Sequence, residues 1–485
     1  MKTIKRILAG ACALSLTLAF AGCGSSSGSS SDGGTTTTTA APGLELNEED
    51  KETVASLADR VPDHDLGGNT TIKWLAHYDI NPSNGQRKSP GLELFEQKFG
   101  GKIQWIQSTW NTRYDDLASQ VMSKNSPDFF PASDMDTFPK GAIKGMFDPI
   151  DDVIALDSDL WAETKASSDK FVFNGHHYVA VIDVSPNFVC VYNTTTIHEN
   201  GLDDPAELYW EGNWNWDTFK GMIDDFLSST DSDDAAGLDG YWYVSAISES
   251  CGVPMIGLED GMLVNNMSDP NIEKVQNFMY ELGKQSRVMF DRSSNNWSTR
   301  GDGTTGNGLG DYQTLFIPVG LWGIENSVES TKPFGDMEGG EVMFVPMPKD
   351  PDSDKYYMSS RVEGFNLCKG APNPEGFAAY MDCLMVAKKE TKEITKNTLI
   401  NDYKWNEDMY AMREETYRLA AENPVFNFAQ GISAEMDSAY EGLSQGTMIT
   451  GGDQKTWTEV RGEYEKQVDF LIKEANTKIS DTPTE

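Results

Sequence analysis

From Thr71 onward, apolar positions recur with a period of two and then with the longer period of a helix, and the switch repeats at short intervals. Thr71–Tyr78 alternates residue by residue and predicts a strand. Pro90–Phe99 places its apolar residues on one helical face, and Lys102–Gln107 predicts a second strand. Tyr114, Leu117, Ala118, Val121 and Met122 then recur at helical spacing, and Pro127-Asp128-Phe129-Phe130 opens another apolar run. Strand, helix, strand, helix, strand at this pitch predicts a largely parallel sheet covered by helices. Upstream, Asn47-Glu48-Glu49-Asp50 reads as a helix cap, with Val54, Leu57, Ala58 and Val61 on one face before Pro62 stops it. Residues 47–68 are therefore expected to form a helical appendage packed on the main fold.

The N-terminal segments follow neither period. Ile7–Phe20 is mostly apolar and uncharged behind Lys2, Lys5 and Arg6. Its 14 residues are too few for a spanning helix, which needs about 20, and have the length of a signal-peptide core. Leu18-Ala19-Phe20-Ala21-Gly22-Cys23 resembles the lipobox of bacterial lipoproteins. That resemblance implies removal of residues 1–22 and a diacylglycerol thioether on Cys23. Two acyl chains would hold the protein stably at a membrane, where one binds only marginally.

Gly24–Gly43 consists mainly of Ser, Gly and Thr with one charge, Asp32. It has almost nothing to bury against the entropy of ordering its backbone, so residues 23–46 are expected to be a tether. About 20 such residues reach roughly 25 Å. Gly24-Ser25-Ser26-Ser27-Gly28 fits the G-x-S-x-G pattern, but no strand precedes it and no helix follows, so it supports no nucleophile.

Composition narrows the classes. Without residues 1–22 the chain has 463 residues, enough for two or three domains. Its formal charge moves from -37 to -40, because Lys2, Lys5 and Arg6 leave and no acid does. That balance argues against nucleic acid, whose binding needs Lys and Arg against phosphate, and against lying on anionic lipid. No C-x-x-C occurs, and Cys190, Cys251, Cys368 and Cys383 sit in apolar stretches, which favours buried free thiols. No cofactor is implied.

Several blocks, in order, resemble the extracellular solute-binding proteins of sugar ABC importers, the maltose-binding-protein-like family. They include Gly91–Phe99 followed by Gly101-Lys102-Ile103, Tyr114–Met122 leading into Pro127-Asp128, and Gly145–Asp152. Asn174–Tyr178, Val191-Tyr192-Asn193, Gly201–Pro205 and Trp216–Phe219 continue the series. Phe316–Trp322, Val345–Pro348, Gly364–Leu367 and Asn373–Tyr380 complete it, so the resemblance covers roughly Thr71–Ala475. It implies an α/β, two-lobe periplasmic-binding-protein-like fold of type II, with the ligand in a cleft between lobes joined by hinge strands. Residues 71–183 plus 363–403 would form one lobe, and 184–362 plus 404–478 the other. The expected function is capture of a carbohydrate by hinge closure, as a monomer, and delivery to permease subunits.

A sugar offers apolar C–H faces and hydroxyl rims, so its site needs aromatic platforms and planar polar groups. Trp322 matches the family position where a tryptophan stacks on sugar; the alternative is a core tryptophan. Trp110, in the loop after the second strand, faces the expected cleft. Trp242 and Trp297 are cleft candidates that could equally pack a lobe. Trp216, behind a capping Asn215, is read as packing. Ligands of α/β sheets bind beyond the carboxyl ends of strands. This points to Asp79, Asp134 and Asp136 in one lobe, and to Asn187 and Glu325 in the other. Arg361 and Glu363 flank the return crossing. Any of these loop acids can instead be merely solvated. Asp128 and Asn193 are read as turn and hinge scaffolding.

His176-His177 lacks a third ligand at metal spacing, and the glycine-rich 301–308 loop lacks both the P-loop lysine and the acids of a calcium loop. Among rivals, a lipid-anchored glycoside hydrolase needs two suitably spaced carboxylates, which 76 acids do not exclude, but no nucleophile motif accompanies them. A glycerophosphodiester, polyamine or peptide cargo would keep the family and change the site. A phosphate would want convergent arginines, and near the expected cleft only Arg113, Arg300 and Arg361 qualify.

Overall fold

A computed structural model describes residues 42–83, 85–232, 235–239, 243–285, 308–448 and 454–481. Cys23, the export segment, most of the tether, Trp242 and Trp297 lie outside the described residues. The strands that position the site are β1 (Thr71–Ala76), β2 (Lys102–Gln107), β3 (Phe129–Pro131), β4 (Ala180–Pro186) and β5 (Val189–Asn193). They continue with β6 (Ala236–Leu238), β7 (Thr314–Val319), β8 (Val342–Pro346), β9 (Met358–Leu367) and β10 (Pro424–Val425). The principal helices are α1 (Glu48–Ala55), α2 (Pro90–Phe99), α3 (Arg113–Met122), α4 (Trp216–Ser229) and α5 (Pro270–Gln285). After them come α6 (Pro374–Glu390), α7 (Glu407–Glu422), α8 (Ala434–Gln445) and α9 (Trp457–Asp481).

The first sheet runs β2-β1-β3-β9, with β4 and β10 also bonded to β9. β1 is parallel to β2 and β3, whereas β9 is antiparallel to both β3 and β4. In the second sheet, β8-β5-β7-β6, only β6 and β7 run parallel. The expected run of parallel strands is therefore limited to β2-β1-β3, with single parallel pairs β6–β7 and β9–β10 besides. The reason is the long return strand: β4 leaves the first sheet, the second sheet intervenes, and β9 comes back beside β4 in the opposite direction. Opposite β4, Glu363 pairs with Asp183 and Gly364 with Val181, so a bulge interrupts the ladder between Glu363 and Gly364.

Local chemistry explains the elements. Ser89 accepts from Leu92 N at 3.2 Å, Pro90 opens α2, and Gly100 closes it in the left-handed region at φ 61. Leu92, Leu94 and Phe95 are buried by this helix, and Val54, Leu57 and Val61 join the same core from α1 and the turn after it. Each such side chain contributes about 1.5 to 3 kcal/mol relative to exposure, so the appendage is part of the lobe. Met122 departs from expectation at 78% exposed. It stands five residues after buried Leu117, about 140° around the helix at 3.6 residues per turn.

Two cores result. One centres on Trp74, Phe129, Phe377 and Tyr380 between the first sheet and α2 and α6. The other includes Phe219 stacked on Phe316 at 5.0 Å in the second lobe. Trp216 packs there as expected: it stacks on Phe278 at 5.0 Å and donates to Ser250 Oγ at 3.0 Å. Asn215 caps its helix through a capping box. Cys190, Cys251, Cys368 and Cys383 are buried free thiols.

Candidate ligand-binding site

The C-terminal ends of β1, β2 and β3 deliver three short segments to one place: His77-Tyr78, Ser108–Trp110 and Ala132–Asp136. β9 passes beside them with Arg361 and Glu363. Arg113, in the first turn of α3, organises the middle of the cluster. Its guanidinium lies 3.6 Å from the Trp110 ring centroid, donates to the Trp110 carbonyl, and pairs with Asp136. Tyr114 Oη donates to Asp136 Oδ1 at 2.7 Å, so that carboxylate is spent on positioning. His77 meets the Trp110 ring edge-on at 5.0 Å. Trp110 is thus held on several sides yet remains 44% exposed.

Asp134 and Arg361 are in a different state. Asp134 Oδ2 and Arg361 Nε are buried with no hydrogen-bond partner, as are Arg113 Nε and His77 Nδ1. The nearest carboxylate contact of Arg361 is Glu363 Oε1 at 3.7 Å, an ion pair too long for a hydrogen bond. Desolvation, then the Asp136 charge, raises the Asp134 carboxyl, against the opposing pull of Arg113 and Arg361. Burial lowers Arg361, but Glu363 and Asp134 outweigh it and leave the guanidinium raised. Burial and then Arg113 push His77 down to about 4, so it is neutral at physiological pH. Tyr78 keeps 37% of its surface exposed while its phenol is desolvated, which raises it further beside Asp134 and Glu363. Most buried polar atoms in folded proteins are paired, so four unpaired ones in one cluster make it the candidate site.

The other expected residues sort by what occupies them. Asp79 accepts from both Asn81 N and Asn81 Nδ2 at 2.9 Å, closing a local turn. Asn187 sits half-buried between β4 and β5, its N–H donating to Ser359 O at 2.8 Å. Glu325 accepts from Arg413 Nε on α7 at 2.5 Å. Trp322, on the turn Leu321–Gly323, is 37% exposed. Its indole lies over Gly320, where an added Cβ would fall 2.2 Å from Nε1, so a side chain there would displace the indole. The Trp322–Glu325 segment is fixed to α7 and its approach by Arg413–Glu325 and by Trp405 Nε1 donating to Ile324 O at 3.0 Å.

The structure therefore gathers Trp110, Asp134, Asp136, Arg361 and Glu363, with Tyr417 of α7 close enough to act on Arg361. His77, Tyr78, Arg413 and Tyr417 were not anticipated. The first two directly follow β1, where strand-end reasoning could have found them, whereas nothing in the helical pattern of α7 singles out the others. Among the described residues no group of three His, Cys, Asp or Glu side chains is arranged to hold a metal. His177 is instead bonded to Asp151 at 2.6 Å and Asp169 at 2.8 Å.

A sequence model of the family described as bacterial extracellular solute-binding protein matches residues 92–399. No curated protein matches the chain. Similar solved structures include the GacH receptor of Streptomyces glaucescens, studied unliganded and with acarbose and an acarbose homolog. It is 13% identical with a TM-score of 0.58, over 83% of this chain and 98% of that one. The ABC transporter associated binding protein of B. animalis subsp. lactis, in complex with β-1,6-galactobiose, is 17% identical with a TM-score of 0.56, over 84% and 99%. UgpB of Mycobacterium tuberculosis, in complex with glycerophosphocholine, is 12% identical with a TM-score of 0.57, also over 84% and 99%. At such identities the likeness is one of fold, and that fold is the two-lobe periplasmic-binding-protein-like one.

Proposed function

The chain belongs to the bacterial extracellular solute-binding protein family, and from that premise we propose that it is the capture subunit of an ABC importer, with a carbohydrate as cargo. It works as a non-catalytic monomer held at the membrane through lipidated Cys23, closes about its hinge on the cargo, and presents it to permease subunits. The hinge is assigned to β4 and β9 at the bulge, close to the 183/184 and 362/363 lobe boundaries expected from sequence.

The observation that carries the cargo reading is that Asp134 Oδ2 and Arg361 Nε lack hydrogen-bond partners beside exposed Trp110. A hydroxyl both accepts from a guanidinium and donates to a carboxylate, and a sugar ring presents several with an apolar face for the indole. A phosphate or a free cation fits less well, because Arg361 is flanked by Glu363 and Asp134, and Asp134 by Arg361 and Arg113. Trp322 supplies a second platform from the other lobe.

The test is thermal-shift screening of the mature protein against mono- and oligosaccharides, with glycerophosphocholine and a polyamine as charged comparators. A melting shift with intact sugar supports the reading, since a ligand of the native state raises stability by mass action. Cleavage of the sugar overturns the binding function, and a shift with a charged comparator alone overturns the cargo.

A further inference from the structure

Glu249 follows the short helix Tyr243–Ser248 and is 4% exposed. Its carboxylate accepts from Ser359 Oγ on β9, from Asn427 Nδ2 at 3.1 Å just after β10, and from Tyr440 Oη at 3.3 Å on α8. Asn427 Nδ2 also donates to Tyr440 Oη at 2.8 Å. Four segments remote in sequence thus meet on one carboxylate. The groups holding it are neutral, and among the described residues no lysine, arginine or histidine contributes to its electrostatics. The titratable groups facing it are Tyr440 from α8 and Cys251 from its own turn. Burial raises Tyr440 and pushes the Cys251 thiol up to about 12, so both stay neutral. β9 and the segment after β10 bring only Ser359 and Asn427. Asp437 acts on the Tyr440 hydroxyl from the turn before it, and Asp269 acts on Cys251. A buried carboxylate without a cation carries a large desolvation penalty when ionised.

Alternate residues of a strand share a face, so Ser359 lies on the same side of β9 as Arg361 and Glu363. We propose that Glu249 is a positioning residue for cargo capture: it anchors the end of β9 that carries Arg361, and gain or loss of its proton changes how firmly that end is held. The link to cargo rests on the role given to Arg361 above; the anchoring does not.

Ionised, the carboxylate accepts all three bonds. Protonated, it donates its own O–H to Ser359 Oγ or Tyr440 Oη, hydroxyls that can reverse direction. The hub survives in both states, but only the ionised one bears the desolvation penalty. Burial moves the carboxyl from an ordinary 4.5 up to about 7. Between those values the folded chain keeps a proton that the unfolded chain has released. The resulting stabilisation is complete below the lower value and lost as pH rises through the upper one.

Glu249→Gln keeps the shape and fixes the neutral state; Glu249→Ala removes the anchor. The measurements are melting and amide hydrogen exchange of the cargo-free mature chain from roughly pH 5.5 to 8.5, a range chosen to bracket the folded value. The Gln variant should gain in melting temperature over the wild type by several degrees more at the alkaline end than at the acidic end. Exchange at residues 358–362, corrected for intrinsic rate, should be several-fold faster in the wild type than in the Gln variant at the alkaline end, and equal at the acidic end. The Ala variant should exchange faster throughout. If it does not fold, the Gln and wild-type pair still decides. Parallel melting curves, or exchange at 358–362 that does not separate the two proteins, would overturn the anchor. A positive exchange result in a protein that binds no saccharide leaves the anchor standing and removes the cargo assignment.

Discussion

Two aspartates stand at opposite ends of β3 in opposite circumstances. Asp128, just before the strand, is fully buried and accepts from Lys73 N at 2.7 Å and from Asn373 N at 2.6 Å. It ties β1 to the start of α6, where Asn373 caps the helix by accepting from Gly376 N at 2.8 Å. Asp134, just past the strand, is half-buried and has an oxygen that no donor reaches. Both acids flank the same three-residue strand, yet one is consumed by scaffolding and the other is left available. The two carboxylates differ in hydrogen-bond satisfaction as well as in burial, and that is the contrast expected if one is structural and the other meets a ligand.

The sharpest way to break this contrast is at its structural end. Asp128→Ala leaves two buried N–H groups without an acceptor and should destabilise the protein by about 3 kcal/mol, read as a fall in denaturant midpoint. If stability is unchanged, Asp128 is no scaffold. On the aromatic side, Trp322→Ala and Trp110→Ala should each weaken sugar binding by about 1.5 to 3 kcal/mol, the scale of burying such a side chain, with little change in melting. Calorimetric titration returning wild-type affinity would withdraw the stacking role of whichever residue was changed. Asp134→Asn should weaken binding by about 1 kcal/mol, since the amide retains one acceptor, and leave folding intact. Equal damage to stability from Asp128→Ala and Asp134→Asn would erase the distinction between the two ends of the strand.

A smaller effect concerns pH. His77 is held down to about 4 from an ordinary 6.5, chiefly by burial. Its contribution to stability is present above the ordinary value and lost as pH falls toward the lower one, because the unfolded imidazole takes up a proton first. His77→Gln should therefore flatten the acid limb of the melting profile. An unchanged limb would mean that His77 is not held neutral by the cluster.

Much of the first sheet was legible because periodicity and end chemistry agree there. α2 and β2 occupy the predicted residues, with Ser89 and Gly100 marking the ends of the helix. The strand-end rule also pointed to Asp134 and Asp136, and the proposed crossing to Arg361 and Glu363, which the structure brings into one cluster. It could not show that Asp136 is bound to Arg113 and Tyr114 while Asp134 is left unpaired, since pairing depends on side chains brought together by the fold. Glu325 illustrates the same limit: its partner Arg413 stands 88 positions away on α7. Asp79 shows it locally, its side chain being turned back onto Asn81, a contact the strand-end rule does not reveal. The antiparallel return of β9 was hidden because each short apolar run carries no mark of its direction.

The most direct test of capture at this cluster is calorimetric titration of Arg361→Met with the saccharide that most raises the wild-type melting temperature. Its Nε is buried without a hydrogen-bond partner, so loss of the guanidinium should remove about 2 to 3 kcal/mol of binding, roughly 30- to 150-fold in affinity, while the protein without sugar still folds. Wild-type affinity in the variant, or a wild-type protein that no saccharide stabilises, would contradict the assignment of this cluster as a carbohydrate site.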